Sequence, residues 1–249
     1  MRRIKLEVAY DGTNYHGWQI QPNKITVEEV INRELSHLFG ESIKVIGASR
    51  TDSGVHALGN VAVFDTEARI PGDKVCYALN QRLPEDIRVQ TSKEVPLDFH
   101  PRHCNSKKTY RYSILNCTIP KPTKRLYSHF LYLPLDVERM QEGANYFIGT
   151  HDFKSFCSSK TTVEDTVRTI YQLKISKNED MVDIVITGSG FLYNMVRIIA
   201  GTLIQIGIGA MNPDKVKEIL EKCDRNCAGP TAPAKGLTLM GIEYEEEEL

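Results

Sequence analysis

Among the 249 residues, one short segment concentrates groups able to do chemistry: Ser49-Arg50-Thr51-Asp52-Ser53-Gly54-Val55-His56-Ala57. It follows an apolar run and contains a turn-forming Asp-Ser-Gly. A carboxylate beside an arginine stays ionised, because the opposite charge lowers its pKa. An ionised Asp52 can serve as a nucleophile or as a general base. The structural alternative is an Asp that caps its own turn, with Arg50 in a surface ion pair. His56 reads as a base, a ligand or a buried structural histidine. His100-x-x-His103-Cys104 has the look of a ligand set, but no second half lies at zinc spacing, and Cys223 and Cys227 have no histidine nearby. No metal site is expected.

A second group lies in Lys107-Lys108-Thr109-Tyr110-Arg111-Tyr112. On a strand, Lys108, Tyr110 and Tyr112 share one face and Lys107, Thr109 and Arg111 the other. Rings interleaved with cations suit stacking on bases and pairing with phosphates, which makes Lys107, Lys108 and Arg111 candidates for an RNA backbone. The plainer reading is a half-buried strand with exposed lysines. Arg197 interrupts the apolar run Phe191–Ile208. A charge there is costly unless it is paired, so its expected partner is a carboxylate at a cleft, or else it snorkels to the surface. Gly188-Ser189-Gly190, just ahead, offers amides to a phosphate if a helix begins there.

The elements that must position these groups follow from the patterning. Ile4–Tyr10 alternates and stops at Asp11-Gly12, a strand and a turn. Thr26 with Glu29 makes a capping box, Val27, Val30, Ile31, Leu35 and Leu38 recur at helical spacing, and Gly40 ends the run. Ile43–Ala48, the segment around Val61–Asp65 and Ile87–Thr91 read as strands, with a short helix from Pro71 to about Arg82. The order is β-α-β-β-α-β, the split βαβ of a ferredoxin-like sheet. The second half repeats it: strand Thr109–Leu115, helix Val137–Phe147, a hairpin of Thr169–Ser176 and Val182–Thr187, helices Phe191–Ile208 and Asp214–Cys223, and strand Leu237–Tyr244. The expected fold is α+β: two ferredoxin-like (RRM-like) subdomains, 1–102 and 103–249, with mainly antiparallel sheets side by side and an active-site cleft between them.

The length can bury a full core, and 41 % hydrophobic with 25 % charged residues excludes collagen, disorder and coiled coil. The net charge of −1 conceals an uneven distribution. Residues 1–125 hold 19 Lys+Arg against 14 Asp+Glu, and residues 126–249 hold 12 against 18, with five glutamates in the stretch Glu243–Leu249. No acidic residue lies between Asp98 and Asp136, where Arg102, Lys107, Lys108, Arg111, Lys121, Lys124 and Arg125 fall. That stretch suits a phosphate backbone. Met195–Met211 is shorter than the roughly 20 residues of a membrane span and is broken by Arg197 and Gln205. No secretory pattern is visible, and six cysteines in so long a chain are expected as reduced thiols in the cytoplasm.

From Tyr10-Asp11-Gly12-Thr13 to Gly236-Leu237-Thr238-Leu239 the chain resembles the tRNA pseudouridine synthase A family. The most specific block is Arg50-Thr51-Asp52-Ser53-Gly54-Val55-His56-Ala57; the family usually reads Gly-Arg-Thr-Asp-Ala-Gly-Val-His, so Ser49 and Ser53 are small polar departures. Asn14-Tyr15-His16-Gly17-Trp18-Gln19-Ile20-Gln21, Lys108-Thr109-Tyr110-Arg111-Tyr112 and Phe191-Leu192-Tyr193-Asn194-Met195-Val196-Arg197 support it. The resemblance implies a cofactor-free isomerase, a homodimer with one tRNA across both subunits. It would convert uridines 38, 39 and 40 of the anticodon stem-loop to pseudouridine. It implies Asp52 as nucleophile, attacking the ribose C1′ or the uracil C6 or assisting a glycal. Tyr110 would stack on the uracil and take part in proton removal, Arg197 would pair with Asp52, and Arg50 would displace and hold the flipped nucleotide. Competing readings are a non-catalytic RNA-binding module with RRM-like sheets and a small-molecule enzyme with an Asp/Arg cleft. The RRM aromatic signature is missing from the sequence, and the basic stretch would be idle in the latter.

Overall fold

The computed structural model describes residues 1–159 and 163–245, so Glu246, Glu247 and Glu248 of the acidic tail lie outside the described residues. The fold is mixed α/β with mostly antiparallel strand pairing. It divides into two units, one of residues 1–106 with the strand residues from Leu239 onward, the other Lys107–Thr238.

In the first unit the elements are β1 (Arg2–Tyr10), α1 (Val27–Phe39), β2 (Ile46–Gly47), β3 (His56–Thr66), α2 (Val75–Asn80) and β4 (Ile87–Val95). Strand β1 lies between β4 and β3, antiparallel to both, and β2 pairs with β3. The alternation of β1 buries Ile4, Leu6 and Val8 completely, and α1 lays Val27, Ile31 and Leu35 on the core. Both ends of α1 follow local sequence: the Thr26 hydroxyl accepts from Glu29 N–H (3.4 Å), and Gly40 takes the left-handed conformation (φ 69°) with its N–H on Ser36 O. Of the segment read as a strand over Ile43–Ala48, only Ile46–Gly47 is strand among the described residues, with Ala48 N–H donating to Val61 O (2.7 Å) just beyond it. The amides of Ile43 and Val45 are taken by the α1 side chains Ser36 Oγ (3.0 Å) and Asn32 Oδ1 (2.8 Å). The edge of β4 is covered in a similar way, since the Asn80 amide both donates to Val89 O (2.8 Å) and accepts from Val89 N–H (2.9 Å).

The last strand, β10 (Leu237–Tyr244), was expected in the second half, yet from Leu239 it groups with the first unit. It runs beside β3, and Tyr244 packs on a buried cluster of Val63, Val95 and Phe99, under the Lys5 ammonium (4.8 Å from the ring). Beside that cluster Arg3 forks onto Asp65 (Nε to Oδ1 2.7 Å, Nη2 to Oδ2 2.8 Å) and donates to Phe99 O (2.9 Å). The hydrogen bond and charge of Arg3 hold the Asp65 carboxyl below the usual carboxylate range, against its partial burial. A depressed carboxyl stabilises the fold above its unfolded pKa of about 3.9, and that contribution is lost as pH falls through the folded value. Asp65→Asn is therefore expected to cost about 1 kcal/mol at pH 7, a modest figure because Asp65 is partly solvated. In urea melts the gap to wild type should close below about pH 4; a gap that persists there would show that packing rather than charge is responsible.

The second unit contains β5 (Ser106–Asn116), β6 (His129–Leu131), α3 (Val137–Asn145), β7 (Gly149–Asp152), β8 (Val167–Asn178), β9 (Met181–Gly188), α4 (Met195–Gly207) and α5 (Lys215–Lys222). The strands run β5-β9-β8-β7, all antiparallel, with β6 parallel to β5. The hairpin read from Thr169–Ser176 and Val182–Thr187 is β8–β9, turning at Glu179, which adopts φ 50°. Strands β6 and β7 are too short to have shown a pattern. Helix α4 starts at Met195, not Phe191, because residues 189–194 are spent on a connection that ends with Asn194 at φ 62°. The glycines of Gly188-Ser189-Gly190 therefore do not open the helix.

Candidate active site

Asp52 sits in the loop between β2 and β3, and the loop is fixed on both sides of it. The Val55 N–H donates to Asp52 O (3.1 Å), closing a turn in which Gly54 takes φ 77°. Tyr15 O accepts from Gly54 N–H (3.2 Å) and from the Ser53 hydroxyl (3.3 Å). Thr51 O accepts from Trp18 N–H (3.1 Å), while its hydroxyl lies 2.7 Å from that of Tyr10. One step earlier the buried Asn60 amide brackets Ser49, accepting from its N–H (3.2 Å) and donating to its carbonyl (3.0 Å). The segment Gly12–Trp18 can lie so close only because it lacks side chains where it crosses the loop. A Cβ on Gly12 would stand 2.0 Å from Val55 O, and one on Gly17 (φ 85°) 2.5 Å from Thr51 O. Tyr15 is anchored in turn by its hydroxyl on Asp86 Oδ1 (2.7 Å); burial first, then that bond, raises its pKa well above the usual phenol range.

Asp52 is half-buried at this rigid turn. Arg50, two residues earlier, is exposed and makes no ion pair among the described residues. His56 is buried, with Nδ1 3.1 Å from Gly12 N and 3.1 Å from Asp11 Oδ1. Nδ1 serves one of the two at a time. Either contact ties His56 to the Gly12 turn.

The second unit holds the other candidates. Lys108, Tyr110 and Tyr112 do share a face of β5, opposite Gly188, Ile186 and Ile184 of β9. That face points into the core. Tyr112 is fully buried, with its hydroxyl on Pro233 O (3.0 Å), and Tyr110 retains 8 % exposure, its ring edge-to-face with Phe191 (5.2 Å, 85°). Of the two tyrosines, then, only Tyr110 keeps a margin for stacking. Lys107 is exposed, with Nζ 5.6 Å above the Tyr171 ring. Arg111 is half-buried, and its Nε is enclosed without a hydrogen-bond partner among the described residues.

Arg197 is half-buried in the first turns of α4. Its Nε donates to Ala232 O (2.8 Å) and its Nη1 to Asn194 Oδ1 (2.8 Å). The Ala232 N–H returns a bond to Arg197 O (3.0 Å). The strap around Pro230–Pro233 reaches the helix because Gly201 and Gly229 face it: a Cβ on Gly201 would stand 1.8 Å from Pro230 O, and one on Gly229 2.6 Å from Thr202 Cα. The ring centroids of His100 and His103 lie 3.9 Å apart with the planes tilted by 30°, and among the described residues no group of three or more His, Cys, Asp or Glu comes together to hold a metal ion. None of the helices among the described residues is long and apolar enough to cross a membrane.

The sequence patterns pointed to the charged groups and missed their supports. Tyr10, Asn60, Phe191 and Asn194 had no assigned role. The signal for the cradle was present in Asp11-Gly12 and His16-Gly17-Trp18, two glycines flanking a polar run, but its partner loop lies some forty positions away.

A family model described as tRNA pseudouridine synthase matches residues 7–103 and 144–245. The chain is 50 % identical over 244 residues to tRNA pseudouridine synthase A of Thermoanaerobacter sp. (strain X514), covering 98 % of this chain and 100 % of the relative. Similar proteins of that name come from Bacillus subtilis (strain 168), 47 % identical over 245 residues (98 % and 99 % covered), and Geotalea uraniireducens (strain Rf4), 46 % identical over 244 residues (98 % and 100 %).

Proposed function

The chain belongs to the tRNA pseudouridine synthase family, and we propose that it isomerises uridine to pseudouridine at positions 38, 39 and 40 of the tRNA anticodon stem-loop with Asp52 as its nucleophile. The activity itself follows from the family; the positions and the residue roles are our reading. The observation that carries the reading is the Asp52 turn, tied through Thr51, Ser53 and Gly54 to a segment whose glycines permit close approach. A carboxylate presented by so rigid a backbone is preorganised for attack.

The chemistry needs only such a group and a proton relay. The N1–C1′ bond breaks, the uracil turns, and C5 bonds to C1′. C5 then loses its proton and N1 gains one, so the product is an isomer of the substrate. No electrons are exchanged, and the reading calls for no cofactor. The target must first leave the helical stack, which costs a few kcal/mol. Stacking on one aromatic ring returns ~1–3 kcal/mol, and Tyr110 is our candidate for that ring. Exposed Arg50 suits the task of filling the gap and holding the flipped nucleotide, and we assign Arg197 to substrate binding. Lys107, Lys108 and Arg111 are read as contacts to the RNA backbone.

The same reading takes the β4-β1-β3 order, with β2 on β3, as a ferredoxin-like sheet in the first unit, and β5-β9-β8 as its counterpart in the second. It includes a homodimer acting in the cytoplasm. Incubating unmodified tRNA with the protein and analysing its nucleosides tests the function: pseudouridine at the three positions is expected, and binding without product would favour a non-catalytic RNA module. For Tyr110→Phe, stacking survives and the hydroxyl is lost, so tRNA affinity should hold while turnover drops by roughly 10- to 100-fold. Unchanged turnover would remove the hydroxyl from proton removal.

A further inference from the structure

The segment that cradles the Asp52 turn is itself gripped at two points by Asp86, in the connection from α2 to β4. The β1–β4 ladder ends with Tyr10 opposite Ile87, which brings Asp86 beside Asp11. There the Asp86 carbonyl accepts from Asp11 N–H (2.9 Å), and its carboxylate Oδ1 accepts from the Tyr15 hydroxyl (2.7 Å). Between these two points the chain is closed by Tyr15 N–H on Gly12 O (3.0 Å), and Asp86 is steadied by Ile87 N–H on Pro84 O (3.1 Å). A carboxylate makes a stronger acceptor for a phenol than a neutral oxygen does. Tyr15 is buried, and its other end faces the Asp52 turn: its carbonyl takes Gly54 N–H (3.2 Å) and the Ser53 hydroxyl (3.3 Å).

We infer that Asp86 is a positioning residue for the reaction: through the Tyr15 hydroxyl it fixes the carbonyl that holds Ser53 and Gly54, and with it the turn that presents Asp52. The inference rests on the proposed role of Asp52 as nucleophile. Every residue in this chain of contacts belongs to the first unit. The loop ahead of Asp52 has its own supports, Asn60 at Ser49 and Trp18 N–H on Thr51 O. The contacts just after Asp52, at Ser53 and Gly54, run to Tyr15. With the Tyr15 hydroxyl released, packing alone holds the ring, and the carbonyl at its other end drifts with it. The loop then stays folded on one side of the nucleophile and loosens on the other.

The test compares Tyr15→Phe, Asp86→Ala, their double variant and Asp86→Asn in the full-length protein, below all four melting temperatures. Tyr15→Phe keeps the buried ring and Asp86→Asn keeps an acceptor oxygen, so neither depends on a drastic change to the core. Single-turnover rates at saturating unmodified tRNA should fall on the order of 10-fold for Tyr15→Phe and for Asp86→Ala, since small misplacements of a reacting group are costly. Affinity for tRNA should stay within about 2-fold of wild type. The double variant should be no slower than the slower single one, because both remove the same bond, and Asp86→Asn should recover most of the rate. A merely structural role would lower the melting temperature and leave the rate of the folded variants at the wild-type value, which would overturn the inference. Multiplying losses in the double variant, an Asp86→Asn as slow as Asp86→Ala, or an equal fall in affinity and rate would overturn it too. Wild-type protein that makes no pseudouridine, or an Asp52→Ala variant that still makes it, would overturn the functional reading instead, so the two failures are distinguishable.

Discussion

Asp52→Asn and Asp52→Ala are expected to yield no detectable pseudouridine, a loss on the order of 10^4-fold or more, as for removal of a nucleophile elsewhere. The argument is chemical and also structural. The turn is held by main-chain bonds at Thr51, Gly54 and Val55 and by the Ser53 hydroxyl, so Asn fits the same position. The melting temperature should therefore hold, and the change in stability should stay within about 0.5 kcal/mol. Affinity for tRNA should be equal or higher, since a negative charge facing phosphates has been removed. Nucleoside analysis, a binding titration at fixed salt and a thermal melt separate these effects. Product from either variant would end the nucleophile assignment, and a collapsed melt would mean that the side chain supports the turn after all.

How far the sequence carries depends on the range of the interactions involved. Helix α1 was legible at both ends because Thr26, Glu29 and Gly40 act within a single turn of it. The β8–β9 hairpin was legible because two alternating runs flank a short polar turn. Strand β2 was overestimated, since Asn32 and Ser36 reach across from α1 to take amides that a neighbouring strand was expected to bond. The start of α4 was misplaced for a different reason: apolar residues run on through Phe191 and Leu192, and only the backbone of Asn194 reveals the turn. The interleaved tyrosines of β5 were assigned the right face, but alternation does not distinguish a face that meets nucleic acid from one that meets helices, and Tyr112 belongs to the core. For the site, residue type identified Asp52, while the reason for its rigidity depends on Gly12 and Gly17 being brought against residues 51–55 by the pairing of β1 with β3.

Gly12→Ala should therefore damage both fold and chemistry. The added methyl group would stand 2.0 Å from Val55 O and 2.6 Å from Val55 C, both backbone atoms that cannot swing aside. Either the Asp52 loop or the Gly12 turn must move by more than an ordinary side-chain adjustment. Overpacking of this kind costs about 1–3 kcal/mol, and the neighbouring bonds Tyr15 O with Gly54 N–H and Thr51 O with Trp18 N–H are strained together, each worth about 1 kcal/mol. A loss of about 2–4 kcal/mol in urea denaturation is the expected sum. Gly40→Ala supplies the control. Its φ of 69° disfavours Ala, but nothing lies within 4 Å of the new Cβ, so it should cost about 1 kcal/mol and leave the rate alone. With both variants assayed at a temperature where they remain folded, Gly12→Ala should turn over about 100-fold more slowly than Gly40→Ala, because a displacement of about 1 Å at the nucleophile is enough. If folded Gly12→Ala works at the wild-type rate, the close approach of Gly12 to Val55 does not position Asp52, and the rigidity of its turn must come from the Asn60 and Tyr15 contacts alone.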